Sequence, residues 1–253
     1  MTVGYDRRTI SEHLDLELPA GRFTAIIGPN ACGKSTLLRA LARLLKPTAG
    51  EVLLDGADIH ARPAREVARR LGLLPQSSIA PDGITVAELV ARGRFPHQRL
   101  IRQWSPADEA AVVAAMAATG VTELSGELVD TLSGGQRQRV WVAMVLAQQT
   151  PIVLLDEPTT FLDIAHQIEL LELCVRLNRE QGTTMVAVLH DLNQAARYAH
   201  HLVVMKAGAV VAQGDPRQVL TAELVETVFG LGCRIIDDPE TRTPLVIPRS
   251  RLG

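Results

Sequence analysis

Short apolar runs alternate along this chain with longer segments whose apolar residues recur every three or four positions. Phe23-Thr24-Ala25-Ile26-Ile27 has strand chemistry, and the leucines of residues 37–45 follow at helical spacing until Pro47 stops them. Glu51 to Leu54 leads into Asp55-Gly56, a hairpin signal. Gly72 to Gln76 reads as a strand ending in a polar residue. Pro151 to Leu155 and Thr183 to Leu189 are buried-type strands, separated by a long helix from Ile164 to Gln181 that Gly182 ends. Val203 to Gln213 reads as a hairpin turning near Ala207-Gly208, and the last forty residues as helix and then irregular chain. Strands alternating with helices predict an α/β fold, a mostly parallel sheet flanked by helices.

The stretch from Ser77 to Asp130 differs. Ile84 to Arg92 predicts a helix with Thr85 as N-cap. Ser105-Pro106 opens a second helix that Gly120 closes. We read one domain over 1–253, with an α/β core and an antiparallel β part in about 1–76 and 131–253. A mostly helical subdomain is inserted at about 77–130.

Composition narrows the classes. The chain has 253 residues and is 47% hydrophobic, enough for a sizeable core, but only 3% aromatic, so aliphatic side chains do the packing. A formal charge of -2 gives no case for nucleic acid as a partner. Cys32, Cys174 and Cys233 are scattered, which suggests a reducing compartment rather than a disulfide framework, with Cys174 and Cys233 as core thiols. The longest apolar run, Val140 to Ala147, is far short of the ~18 residues that span a bilayer. No basic-then-apolar leader precedes the first strand. These features predict a soluble, cytoplasmic chain whose membrane role, if it has one, comes through a partner.

Three stretches carry chemistry. Gly28-Pro29-Asn30-Ala31-Cys32-Gly33-Lys34-Ser35-Thr36 fits G-x-x-x-x-G-K-[ST] and lies between a strand and a helix. Such a loop turns backbone N–H groups onto a phosphate chain, and the helix N-terminus adds partial positive charge. Lys34 then sits over the β- and γ-phosphates and Ser35 ligates Mg²⁺. The apolar strand Ile152 to Leu155 ends in Asp156 and Glu157, placing one carboxylate for the metal shell and one to activate water. Leu132-Ser133-Gly134-Gly135-Gln136 is a second glycine-bearing loop at a helix start, hence a second anion site. One chain has no need of two such sites on one nucleotide; two chains facing each other do.

Phosphate loop, LSGGQ and LLDEP occur in the order that identifies an ABC transporter nucleotide-binding subunit, and the resemblance covers nearly the whole chain. It implies an ABC-type P-loop NTPase with a RecA-like core, using ATP and Mg²⁺. Gln76 resembles the family's lid-loop glutamine, His190 its switch histidine, Phe161-Leu162-Asp163 its D-loop, and Tyr5 the aromatic that stacks on adenine. The family usually has a further strand segment before that tyrosine, so either the start is misassigned or trimmed, or the sheet edge is short. Many members carry glycine at the position of Ala31, a small change that leaves Gly28 and Gly33 in place.

The resemblance implies that two copies pack head to tail. Each ATP lies between Gly28 to Thr36 of one copy and Ser133 to Gln136 of the other. Ser35, Gln76 and Asp156 surround Mg²⁺, and Thr36 bonds the α-phosphate. Glu157 is the general base, His190 contacts the γ-phosphate and the attacking water, and Asp163 couples the sites. It further implies integral membrane permease subunits, an indirect substrate-binding protein partner, and a peripheral place on the cytoplasmic face of the membrane.

Cargo comes only from finer resemblance. Gly93 to Gln98, Trp141 to Gln148, Thr159 to Gln167 and His190 to Tyr198 resemble the ferric-siderophore importer branch, whose close relatives take haem or cobalamin. Soluble ABC proteins of DNA repair or translation are rivals, but they usually have two cassettes or a long coiled-coil insertion. A nucleotide sensor would have lost its base or switch, and exporters often fuse membrane spans. The stretch Arg92 to Trp104 mixes Arg92, Arg94, Arg99 and Arg102 with Phe95, Leu100, Ile101 and Trp104. It reads either as a solvated loop or as a docking surface for a permease helix. His200 and His201 are expected to be solvated or capping.

Overall fold

The structure, a computed structural model, describes residues 1–5, 8–77, 79–98 and 104–250. The chain divides into two compact units, residues 1–61 with 184–253 and residues 62–183.

The first unit opens with β1 (Val3–Tyr5) and β2 (Arg8–Ser11), paired antiparallel. β3 (Phe23–Ile27) is buried at every position and leads through the glycine loop into α1 (Lys34–Leu41). This helix ends earlier than its leucine spacing predicts, because Arg43 turns left-handed at φ 65° before Pro47 is reached. β4 (Leu53–Leu54) and β5 (Ala57–Asp58) form the expected hairpin, with Asp55 and Gly56 both at positive φ as its two-residue turn needs.

The second unit contains α2 (Ala64–Ala68), β6 (Leu71–Leu74), α3 (Val86–Ala91), α4 (Pro106–Ala118), α5 (Gly134–Ala147), β7 (Ile152–Asp156) and α6 (Ile164–Gln181). β6 and β7 pair in parallel, and α3 and α4 both pack on α5. Helix starts are fixed by local chemistry: Thr85, Ser105 and Ser133 each close a reciprocal capping box with the residue three positions on. Gly182 closes α6 in the left-handed conformation. Leu74, Leu89, Leu154, Leu155 and Leu171 are the unit's largest fully buried side chains.

Arg94 corrects the reading of its arginine-rich stretch. It is 5% exposed, and its guanidinium donates to Asp108, Ala147 O and Gln149. Phe95 and Trp104 remain exposed, with the Trp104 indole N–H donating to Glu109. Arg99, Leu100, Ile101 and Arg102 lie outside the described residues.

The first unit then resumes with β8 (Thr184–Val188), α7 (Leu192–Tyr198), β9 (His201–Lys206) and β10 (Ala209–Gly214). α8 (Pro216–Val219), α9 (Ala222–Phe229), β11 (Cys233–Asp237) and β12 (Pro244–Pro248) follow. Its sheet has the order β10-β9-β3-β8. β3 is parallel to both neighbours, and only β9 and β10 run antiparallel. The tail is not irregular after its helices: β11 and β12 form an antiparallel hairpin. The two prolines of β12 disguise it in the sequence, since proline usually argues against a strand. His200 is half-buried, and its Nδ1 accepts the Phe23 N–H, tying down the start of β3. All three cysteines are buried free thiols, and burial pushes Cys174 up to about 12. No described helix is long and apolar enough to cross a membrane.

Candidate functional site

Each unit places candidate residues just beyond the ends of paired parallel strands. In the first unit Ile26 of β3 lies opposite Val188 of β8, so Gly28 and His190 each stand two residues past that pair. In the second, Leu74 of β6 lies opposite Leu155 of β7, and Gln76 and Glu157 each stand two residues past it. The carboxyl ends of parallel strands are where open α/β sheets bind ligands.

The glycine loop is shaped by close contacts. A Cβ on Gly28 would stand 2.3 Å from Met205 O, so no other residue fits there. Gly33 adopts φ 105°, open only to glycine at low cost, and is the N-cap of α1 without a side-chain cap. The first-turn amides of α1 are thus uncovered by any capping side chain, the arrangement that receives anions. Lys34 is 5% exposed, and its ammonium donates to Gly28 O and Pro29 O, both at 2.8 Å. Thr36 is buried, Ser35 half-buried, and Pro29, Asn30 and Ala31 form the outer lip. Ala31 holds φ 59°, the conformation for which glycine is the easier residue. The Cys32 thiol is buried behind the loop; burial raises its pKa while Lys34 pulls the other way. Tyr5 is 40% exposed and its hydroxyl accepts from Arg39 at 3.2 Å, a partner the sequence did not signal.

In the second unit Asp156 is 2% exposed at the end of β7. Glu157 follows at φ 54°, a strained left-handed turn of the chain. Its carboxylate accepts from the Thr160 hydroxyl at 3.5 Å. Ser133 and Gln136 are joined in their capping box at the start of α5. Gly134 and Gly135 are not crowded from within the chain, since an added Cβ would meet Phe161 or Leu162 only at 3.4 Å or more. Asp163 caps α6, accepting the His166 N–H at 2.9 Å and contacting its Nδ1 at 2.7 Å. These bonds, the amide first, hold the Asp163 carboxyl below the usual range. His166 was not singled out by the sequence reading, although an aspartate N-cap with a hydrogen-bonding residue three positions on is a recognisable spacing.

The ABC transporter family profile matches residues 11–160, more than half of the chain. The chain belongs to the ABC transporter family. This ABC protein is 61% identical over 251 residues to the ferric enterobactin transport ATP-binding protein of Escherichia coli (strain K12), covering 99% of this chain and 93% of that protein. It is 55% identical over 251 residues to the achromobactin transport ATP-binding protein of Dickeya dadantii (strain 3937), with coverage of 99% and 93%. A hemin import ATP-binding protein of Myxococcus xanthus (strain DK1622) is 47% identical over 245 residues, covering 94% and 91%. Among solved structures, a dimeric ATP-binding cassette in a post-hydrolysis state bound to ADP and phosphate superposes with a TM-score of 0.74. It is 29% identical and covers 85% of this chain and 94% of its own. The chain is an ATP-binding ABC ATPase.

Proposed function

We propose that this ABC ATPase energises the import of ferric siderophores through a membrane permease. The observation that carries it is the 61% identity to a ferric enterobactin transporter over nearly the full length, joined to an intact set of candidate catalytic residues. Identity to the hemin importer is lower, 47% against 61%, which favours siderophore over haem as cargo.

In this reading the Gly28 to Thr36 loop holds the phosphates, with Lys34 as its fixed charge and Tyr5 against adenine. Two copies associate, and Ser133 to Gln136 of the second completes the nucleotide site; the uncrowded Gly134 and Gly135 leave room for that approach. Glu157 takes a proton from water as its oxygen bonds to the γ-phosphorus and the bond to the bridging oxygen breaks, giving ADP and phosphate. His190 steadies the γ-phosphate, and Asp163 links the two sites.

Ser35, Gln76 and Asp156 offer only hard oxygen donors, a set that suits Mg²⁺. When bound, the ion neutralises charge on the β- and γ-phosphates. The protein works at the cytoplasmic face of the membrane, docked on its permease, with a substrate-binding protein delivering cargo from the other side. Exposed Phe95 and Trp104 offer apolar surface for that docking.

The test is uptake of labelled iron, given as a ferric siderophore, by iron-starved cells that rely on this chain or on Glu157→Gln. The variant should lose uptake while other nutrients enter normally. Normal uptake in cells lacking a second such ATPase would refute the cargo if purified Glu157→Gln has lost its ATPase, and the base if it has not.

A further inference from the structure

The mechanism above leaves the C-terminal hairpin without a task. Its outer edge is unusual. Arg249 N–H donates to Gly232 O, and Asp238 N–H to Thr243 O, just beyond the two ends of the β11–β12 ladder. Antiparallel pairs alternate between those that exchange hydrogen bonds and those that do not. Counting inward from either end, residues 244, 246 and 248 of β12 turn their main-chain groups away from β11. Two of them are Pro244 and Pro248, which have no N–H. Val246 is the one residue of that edge with both a donor and an acceptor to offer.

Asn193 takes both. Its Oδ1 accepts the Val246 N–H at 2.7 Å, and its Nδ2 donates to Val246 O at 3.3 Å. The carboxamide thus acts as a short strand segment. Asn193 lies in the first turn of α7, three residues after His190. A second tie runs from Arg197 to Asp238, 3.9 Å apart, and Asp238 also accepts the Glu240 and Thr241 N–H groups that shape the hairpin turn.

His190 therefore sits on a segment fixed at both sides. Before it, Leu189 N–H donates to Ile26 O in β3, the strand that leads into the phosphate loop. After it, Asp191 caps α7 through Gln194 N–H, and Asn193 fastens α7 to the hairpin. α7 has only seven residues and packs on β3 through buried Ala195 and Ala196, and the amide clamp in its first turn adds a directional tie to β12.

We propose that Asn193 is a positioning residue for ATP hydrolysis: by gripping Val246 it fixes α7 and, through it, His190. The C-terminal hairpin is then part of the hydrolytic apparatus rather than a passive tail. This rests on the role given to His190 above.

The experiment compares steady-state ATPase of the full chain with Asn193→Ala, Asn193→Asp, His190→Ala and Thr85→Ala. Asn193→Asp keeps the shape but cannot donate to Val246 O. Both Asn193 variants should lose between about tenfold and the ~100-fold that a ~1 Å misplacement can cost in kcat, while KM for ATP stays within about twofold. Thr85→Ala removes a helix cap in the other unit, outside the proposed site, and should keep kcat despite a similar loss of thermal stability. Native kcat in whichever Asn193 variants fold overturns the inference, whether or not Tm falls. An equal loss of kcat in Thr85→Ala also overturns it, since general loosening would then explain the effect. If His190→Ala keeps the native rate, the assignment of His190 fails instead; if it loses the rate while the Asn193 variants keep it, only the clamp fails.

Discussion

The guanidinium of Arg94 reaches three acceptors, Asp108 at 2.8 Å, Ala147 O at 2.7 Å and Gln149 at 3.0 Å. It joins the capping carboxylate of α4 to the last carbonyl of α5. Removing one partner of a buried pair strands the other, so Arg94→Met should cost about 3–5 kcal/mol in urea unfolding. The same pair sets a pH dependence. The Ser105 hydroxyl first, and then Arg94, hold Asp108 below the usual carboxylate range against the opposing effect of burial. A depressed folded pKa stabilises above the unfolded value near ~3.9, and that stability disappears as pH falls through the folded pKa. Asp108→Asn should flatten the loss of stability below about pH 4, read from urea midpoints across the acid range. Residue type alone hides this role. A sequence of arginines in a loop suggests a solvated face, and only the helix ends brought around Arg94 make it a core contact. Glu157 is the converse case: its type and place after an apolar strand were legible, but its φ of 54° was not.

At the scale of elements, the helix starts were the most legible part of the fold. Thr85 and Ser105 cap α3 and α4 as expected, because cap and partner are local in sequence, whereas α5, expected from about Gln138, already starts at Gly134 with Ser133 closing a third box with Gln136. Two of these boxes allow a controlled comparison. Thr85→Ala and Ser133→Ala should each lower stability by about 1 kcal/mol, the usual worth of a cap. ATPase should survive the first and collapse in the second, since only Ser133 belongs to the proposed second phosphate cradle. Urea midpoints alongside hydrolysis rates would check this; equal rates in the two variants would leave Ser133 a cap and no more. Helix ends and the tail hairpin were less legible. α1 stops at Leu41 although its leucines continue, and the β11–β12 hairpin is announced by no short turn.

At the scale of the whole molecule, the motifs were readable because glycine, proline and acidic residues punctuate them beside strands. The same two-residue offset past a strand pair then places Gly28 with His190 in one unit and Gln76 with Glu157 in the other. If two copies enclose ATP, a chain that binds but does not hydrolyse should accumulate as a pair. Glu157→Gln should elute at twice the native mass in ATP and return to a single chain once nucleotide is removed. A monomer in saturating ATP would count against the shared site. His200, Arg94 and Asn193 were not foreseen as structural ties, because each bonds to chain far away in sequence, which no local pattern records.

The outward edge of β12 has a consequence of another kind. Exposed strand edges recruit other strands, and proteins blunt them with proline. Pro244 and Pro248 remove two donors, and Asn193 occupies the third at Val246. The clamp that steadies His190 therefore also silences an adhesive seam. A mutation that frees Asn193 should slow the enzyme and, in concentrated solution, start to make it sticky.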